Sequence, residues 1–434
     1  MILLFYSLFL KAYPVGIRIA SIWNDKAKHW INGRKEFPSL SSDTHETIWM
    51  HCASLGEFEQ GRPVIEKIRE DHPAYRIVIT FFSPSGYEIQ KNFKGADHIF
   101  YLPLDSASNA KKFISMINPT LVLWVKYEYW YYYLREIKNR DIPLLLISGT
   151  FRKNQPFFKW YGNFWKKMLG CFTYYFLQNQ HSKNLLETVR ITNVSVSGDT
   201  RFDRVITIAE NFEDIPLIKE YCGNNKVMVA GSTWEDDEAE LVHYAKTNPE
   251  IKFIIAPHEV DKENLADVKK AFKGSIFYSE WLLNVKSDPD NYREADVNEE
   301  TRIHVSPFTS HANVLIIDNI GMLSRLYKYA HITYVGGGFG DDGLHNILEA
   351  AVYGKPVIFG PEFEKNAEAE ELIECGGGIT IENALELEKL LDHLFNTQKE
   401  LEQRSEAAKN YVYGNAGATK KVMAYIQEKR LLTS

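Results

Sequence analysis

Residues Gly336 to Pro361, reading GGGFGDDGLHNILEAAVYGKPVIFGP, decide the fold, because a strand exit, a glycine loop, a helix start and the next strand follow one another within them. The preceding ITYV is a β-branched run ending in glycine, and glycines let backbone amides approach a ligand that any Cβ would hold off. A helix is expected over HNILEAAVYG, His345 to Gly354, with its free N–H groups and positive dipole end facing the loop. Glu349 lies three residues after Asn346, so both project to one side of the first turns, where a carboxylate can accept two hydrogen bonds from a ribose diol. Gly354 ends the helix and PVIFGP resumes the sheet. The stretch reads as a cradle for a phosphate and a sugar.

The same letters spell a dinucleotide fingerprint, with Gly338, Gly340 and Gly343 as GxGxxG and Glu362 about 20 residues on. That reading fails. Asp341 and Asp342 would sit where a pyrophosphate must go, and the third glycine precedes the helix instead of packing inside it.

A chain of 434 residues with 45% hydrophobic and 25% charged content can bury large cores and is expected to form two domains. Its net charge of -7 argues against general nucleic-acid binding. Cys52, Cys171, Cys222 and Cys375 are scattered with no CxxC pair, so neither a disulfide framework nor a zinc site is expected, and a reducing cytosol fits.

From Thr47 onward apolar strands alternate with helical stretches: TIWMHCA, RIVITFF, TLVLWV, PLLLISG and YYFLQN, then KVMVAGS, KFIIAP, VLIID, HITYVGG and KPVIFGP. This is the α/β signature of parallel sheets. The two series part near Ser197 to Pro216, which predicts two Rossmann-like domains facing across a cleft, residues 37–205 and 206–434. One helix from Leu385 to Val412 and a tail through Ile426 would close the second domain or cross back onto the first. The insert from Asn284 to Arg302 reads as a mobile excursion, and its Asp288 and Asp290, spaced like a metal-binding DxD, read as solvated loop charges.

Residues 1–36 differ from the rest. MILLFYSLFL is followed by Lys11, Pro14, Arg18, Lys26, Lys28, Arg34 and Lys35 amid Trp23 and Trp30. The run is shorter than the about 20 apolar residues a crossing needs unless it continues through Pro14, and nothing marks a signal-peptide cleavage site. An interfacial anchor is expected, with a hydrophobic first helix packed on the protein as the alternative.

Several strand exits carry candidate chemistry. IWMHCA runs into SLGEFEQG, placing Glu57 where open α/β sheets bind ligands and where a general base would stand; it would equally complement a helix dipole there. TLVLWV releases its chain into KYEYWYYYL, putting Glu128 at a second exit, followed by aromatics able to stack on sugar or to fill a helix face. Ser232 and Thr233 in AGSTWEDDE stand between a strand and an acidic helix start, as an N-cap or as a phosphate holder. IIAPHE brings Pro257 and His258 to the next exit, and LIIDNIGML and the loop with Gly338 and His345 supply further edges. Arg201 in SGDTRFD could meet an anion or make a structural ion pair.

SLGE with Glu57, the E-x-W of Glu128 and Trp130, GDTRFD, AGST, DNIG and HNILEAAVYGKPVIFGP together resemble the 3-deoxy-D-manno-octulosonic acid (Kdo) transferases of lipopolysaccharide assembly, in order and spacing over nearly the whole chain. The short apolar N-terminus also resembles that family's membrane anchor. The resemblance implies a GT-B fold, no cofactor or metal, and inverting transfer of Kdo from CMP-Kdo to a tetraacylated lipid A precursor (lipid IVA) at the cytoplasmic face of the inner membrane. It implies Glu57 as base and Glu128 with Arg201 as transition-state stabilisers. It further implies nucleotide contacts from Pro257 with His258, from Ile320, Gly321 and Met322, and from Asn346, Ile347, Leu348 and Glu349. The sequence departs from the family where a proline-arginine pair reads Pro257-His258, a glycine-glutamate reads Gly321-Met322 and a lysine reads Arg201. Another GT-B enzyme using a UDP-sugar, or a non-catalytic lipid scaffold, are the competing readings.

Overall fold

The computed structural model describes residues 2–40, 45–126, 128–287, 312–340, 343–364 and 366–433. Asp288, Asp290 and the insert onward to Arg302 lie outside them, as do Tyr127, Asp341 and Asp342. Two units divide the chain: Met1–Arg204 with Asn415–Ser434, and Val205–Gly414. The segment after Gly414 thus belongs with the first unit, the crossing back that was one of the two placements expected for the tail.

The first unit holds a seven-stranded parallel sheet of β1 (Thr47–Cys52), β2 (Arg76–Phe81), β3 (His98–Tyr101), β4 (Pro119–Val125), β5 (Leu144–Gly149), β6 (Tyr174–Leu177) and β7 (Val194–Val196), in the order β3-β2-β1-β4-β5-β6-β7. Alternation along β1 explains the two cores. Trp49 points to one face, with Val78, Val122 and Phe113, while Ile48, Met50 and Cys52 point to the other, with Ile77, Leu121 and Phe58. Val422 and Ile426, on the C-terminal helix Ala418–Glu428, join the second of these cores, each burial contributing about 2 kcal/mol.

The second unit repeats the plan with β8 (Val227–Thr233), β9 (Lys252–Pro257), β10 (Ile276–Phe277), β11 (Val314–Ile316), β12 (Ile332–Val335), β13 (Val357–Phe359) and β14 (Gly378–Thr380), in the order β10-β11-β9-β8-β12-β13-β14. All pairings are parallel. The expected helix from Leu385 to Val412 is instead two, Ala384–Asn396 and Gln398–Gly414, broken at Thr397.

At the N-terminus one helix runs Ile2–Ala20 straight through Pro14, so the apolar run is longer than its first ten residues. At 1.5 Å per residue it is long and apolar enough to cross a bilayer by length and composition. Its inward side is fastened to the first unit. Tyr6 donates its hydroxyl to Asp105 at 2.6 Å, and Ser7 shares a hydrogen bond with Tyr132 at 2.8 Å. Its outward side exposes Leu4, Phe5, Leu8, Phe9, Val15 and Ile19.

Candidate active site

In each sheet the strand order reverses direction at one place, between β1 and β4 in the first and between β8 and β12 in the second. Chains leaving adjacent strands to opposite sides open a crevice beyond their carboxyl ends, where open α/β sheets bind ligands. Non-glycine residues with positive φ stand at both places: Lys126 (φ 62) after β4 and Ser232 (φ 53) within β8. Such backbone is costly and clusters at working sites. At Ser232 it accompanies a register shift against β9 that re-aims the residues that follow.

At the first reversal, β1 ends and the helix Leu55–Asp71 begins with Ser54 as N-cap, so Glu57 is the third residue of its first turn. The carboxylate reaches back to accept the N–H of Ala53, closing the strand-to-helix corner. It is 7% exposed. The capping and ligand-side readings of Glu57 therefore fall on the same carboxylate. Glu128, after β4, is held more elaborately. Its Oε2 accepts the indole N–H of Trp130 at 2.8 Å and faces Nε2 of His51 at 3.3 Å, while its backbone carbonyl accepts Trp124 Nε1 at 2.5 Å. Among the described residues no donor reaches Oε1, which leaves one lone-pair-bearing edge of the carboxylate for a ligand. Behind Trp130, the Phe82 ring lies at 4.7 Å, tilted by 36°, and the Arg34 guanidinium lies over Trp30, Phe82 and Tyr101 at 4.2, 4.8 and 4.8 Å. Desolvation pulls Arg34 down to about 10, so it stays charged at neutral pH.

Arg201 opens the helix Thr200–Glu210 and binds Asp199 Oδ2 through Nε at 3.0 Å and Nη2 at 2.8 Å. That same Asp199 oxygen accepts Gln60 Nε2 at 3.1 Å, and Gln60 is on the helix of Glu57. Arg201 is thus tied through Asp199 to the helix that carries Glu57, and the ion pair weighed in the sequence is present.

At the second reversal the arrangement is aromatic. Trp234 Nε1 donates to Nε2 of His345 at 3.0 Å, with the two rings 16° from coplanar, and His258 stacks on both at 4.6 and 4.4 Å between centroids. An indole only donates, so His345 presents a lone pair at Nε2 and, when neutral, carries its proton on Nδ1. Thr233 and His258 are joined directly through His258 N to Thr233 O at 2.9 Å. Asp237 knits the loop to the sheet, accepting Trp234 N at 3.0 Å, Gly337 N at 2.8 Å and the Tyr334 hydroxyl at 2.7 Å. Ile320 to Met322 follow β11, which neighbours β9, and Ile320 is 86% exposed on that rim.

Several expectations at this second reversal need correction. The helix after the glycine loop is only Leu348–Ala351, one turn, so it has little dipole to offer a phosphate, and its C-cap is Val352, two residues before the expected Gly354 (φ 64). The glycines are spent on the protein itself: a Cβ on Gly336 would meet Ser232 O at 2.3 Å, and one on Gly338 would meet Gly360 N at 2.6 Å. Thr233 likewise does not cap the helix Glu235–Thr247; its hydroxyl donates to Glu238 Oε1 at 2.8 Å. Asn346 and Glu349 do share a side, with Nδ2 donating to Oε1 at 3.0 Å.

Sequence reasoning passed over His51, Trp234 and Asp237. His51 had a signal, as an ionisable residue inside the apolar strand TIWMHC that must find a partner when buried.

Residues 28–204 match the family described as 3-Deoxy-D-manno-octulosonic-acid transferase (kdotransferase). A 3-deoxy-D-manno-octulosonic acid transferase of Aquifex aeolicus is 26% identical over 377 residues, covering 85% of this chain and 92% of its own length. Over its N-terminal unit, and at about 26% identity over most of its length, the chain is similar to Kdo transferases. The match to these transferases indicates a glycosyltransferase enzyme. A bifunctional glycosyltransferase/methyltransferase of Fusobacterium nucleatum is 26% identical over 391 residues; 87% of this chain is covered, and the chain spans 57% of that relative's length. Among solved structures, a UDP-GlcNAc 2-epimerase from Neisseria meningitidis superposes with a TM-score of 0.59 at 16% identity, covering 88% of this chain and all of the other, a likeness of fold alone. The fold is GT-B, built from two parallel seven-stranded α/β units.

Proposed function

We propose that the chain transfers Kdo from CMP-Kdo to an acylated lipid A precursor, lipid IVA, with inversion and without a metal. The observation that carries this reading is the pair of glutamates, Glu57 and Glu128, at the ends of the adjacent strands where the first sheet reverses. In the proposed step a sugar hydroxyl oxygen of the acceptor attacks the anomeric carbon of Kdo, its proton passes to Glu57, the bond from carbon to phosphate oxygen breaks and CMP departs with the electron pair. Glu128, oriented by Trp130 and His51, and Arg201 assist at the sugar. The CMP moiety is assigned to Ser232, Thr233, Pro257, His258, Ile320 to Met322, Gly338, His345 and Asn346 to Glu349 at the second reversal.

The acceptor carries acyl chains, so the enzyme must work at a bilayer surface, which we take to be the cytoplasmic face of the inner membrane. The helix Ile2–Ala20 suits an in-plane, monotopic anchor: its polar bonds to Asp105 and Tyr132 tie one side to the first unit, while the other side is apolar and open. Mass spectrometry of lipid incubated with CMP-Kdo, with chelator present, tests the reading. The acceptor should gain one or more Kdo residues, and an unchanged acceptor mass alongside tight CMP binding would count against transfer.

A further inference from the structure

Away from the glutamates, the first unit carries an aromatic turn that neither the fold nor the proposed chemistry uses. Lys159 O accepts Gly162 N at 3.0 Å, which makes Trp160 and Tyr161 the central residues of a β-turn. Turn centres favour Gly, Pro, Asn, Asp and Ser, for backbone reasons that neither residue satisfies. Gly162 closes the turn where a Cβ would meet Pro156 O at 2.1 Å. Phe157 before the turn and Phe164 after it are buried in the core, so the tip is held from both ends. Yet Trp160 is 90% exposed and Tyr161 45%, the indole standing edge-on to the phenol at 5.5 Å. A large aromatic side chain held this far into water on a pinned turn loses hydrophobic stabilisation unless something covers it.

The surroundings say what covers it. From Ile142 to Leu186 the sequence has no Asp or Glu, in a chain whose net charge is -7, while Arg152, Lys153, Lys159, Lys166 and Lys167 flank the turn. The turn also neighbours the amphipathic N-terminal helix, since the Phe164 ring lies 5.4 Å from that of Tyr6. Trp and Tyr settle at headgroup depth and cations seek anionic lipid, and stable attachment generally takes two such signals. We propose that the Trp160–Tyr161 turn is a second attachment point to an anionic bilayer surface, beside the helix Ile2–Ala20. The proposal extends the membrane reading above but does not depend on which sugar is transferred.

The test uses the full-length protein and vesicles of phosphatidylcholine with or without phosphatidylglycerol. Trp160→Ser with Tyr161→Ser should lower partitioning onto anionic vesicles at least fivefold, with a smaller effect on neutral ones, and salt should erase much of the difference. Trp160→Phe, compared with the parent, should isolate an indole emission that shifts to the blue when anionic vesicles are added. Thermal unfolding unchanged by these exposed substitutions confirms that the fold is intact. Unaltered partitioning of the double variant, or no blue shift from Trp160, overturns the proposal. So does self-association in sedimentation velocity that the double variant abolishes, because the tip would then dock on a second copy. Loss of binding only when Leu4, Phe5, Leu8 and Phe9 are made polar would leave the helix as the sole anchor and also refute the turn.

Discussion

Nε2 of His51 lies 3.3 Å from Oε2 of Glu128, linking two adjacent strands of the first sheet at the place where its order reverses. Thr80 Oγ1 accepts the Trp49 indole N–H at 2.9 Å and lies 2.9 Å from His51 Nδ1, so its own hydrogen is best given to that nitrogen. The remaining ring proton then sits on Nε2 and points at the carboxylate. His51 is a positioning residue on this account. His51→Phe should lower kcat roughly tenfold, the worth of one hydrogen bond to a charged group, without changing donor KM. His51→Gln, which keeps an N–H donor, should recover part of the loss. Steady-state kinetics at varied CMP-Kdo checks both.

Glu57 both closes a corner and is the proposed base, so the choice of substitution matters. Glu57→Gln keeps a carbonyl oxygen for the Ala53 N–H and should unfold near the parent temperature, yet lose about 100- to 10,000-fold in turnover. Glu57→Ala should show the same loss of rate plus about 1 kcal/mol of destabilisation from the missing cap. Near-parent turnover by a folded Glu57→Gln protein would remove Glu57 as the base.

Glu349→Ala should weaken CMP binding on the order of tenfold to a hundredfold, from the loss of a charged acceptor for the ribose. Asn346, deprived of its partner at 3.0 Å, should not alter the fold, because the pair is half-buried at the end of a single helical turn. Calorimetry with CMP measures the change, and an unaltered affinity would place the ribose elsewhere.

Burial raises Glu238, whose Oε1 accepts the Thr233 hydroxyl, to about 7, and the neighbouring Asp237 adds to the effect. An acid whose pKa is higher folded than unfolded favours folding when protonated. Its contribution is present in full below about pH 4.5 and is lost as pH rises towards 7. Asp105, raised to about 6 by burial, acts in the same direction. Urea unfolding of the parent should therefore show stability falling between pH 5 and pH 8 by on the order of 1 to 3 kcal/mol more than in Glu238→Gln. Parallel pH profiles for the two proteins would contradict the assignment.

The sequence by itself determined the interior of both sheets. The runs from TIWMHCA to YYFLQN and from KVMVAGS to KPVIFGP correspond to β1, β2, β4, β5 and β6 and to β8, β9, β11, β12 and β13, which are the interior strands of the two sheets. Such strands are covered on both faces and must be apolar throughout, so they announce themselves. The strands it missed, β3, β7, β10 and β14, all lie at sheet edges, where short segments such as Val194–Val196 and Ile276–Phe277 are only partly buried and carry no long apolar run. Strand exits were legible too, which is why Glu57, Glu128 and His258 could be named as candidates. Only the tertiary structure decided what those residues touch. His51 meets Glu128 across a separation of 77 residues and Trp234 meets His345 across 111, distances over which periodicity carries no information. It also decided that Gly336 and Gly338 make room for the protein's own backbone, because steric demand at a glycine is set by whichever chain passes beside it, and here that chain comes from Ser232 and Gly360.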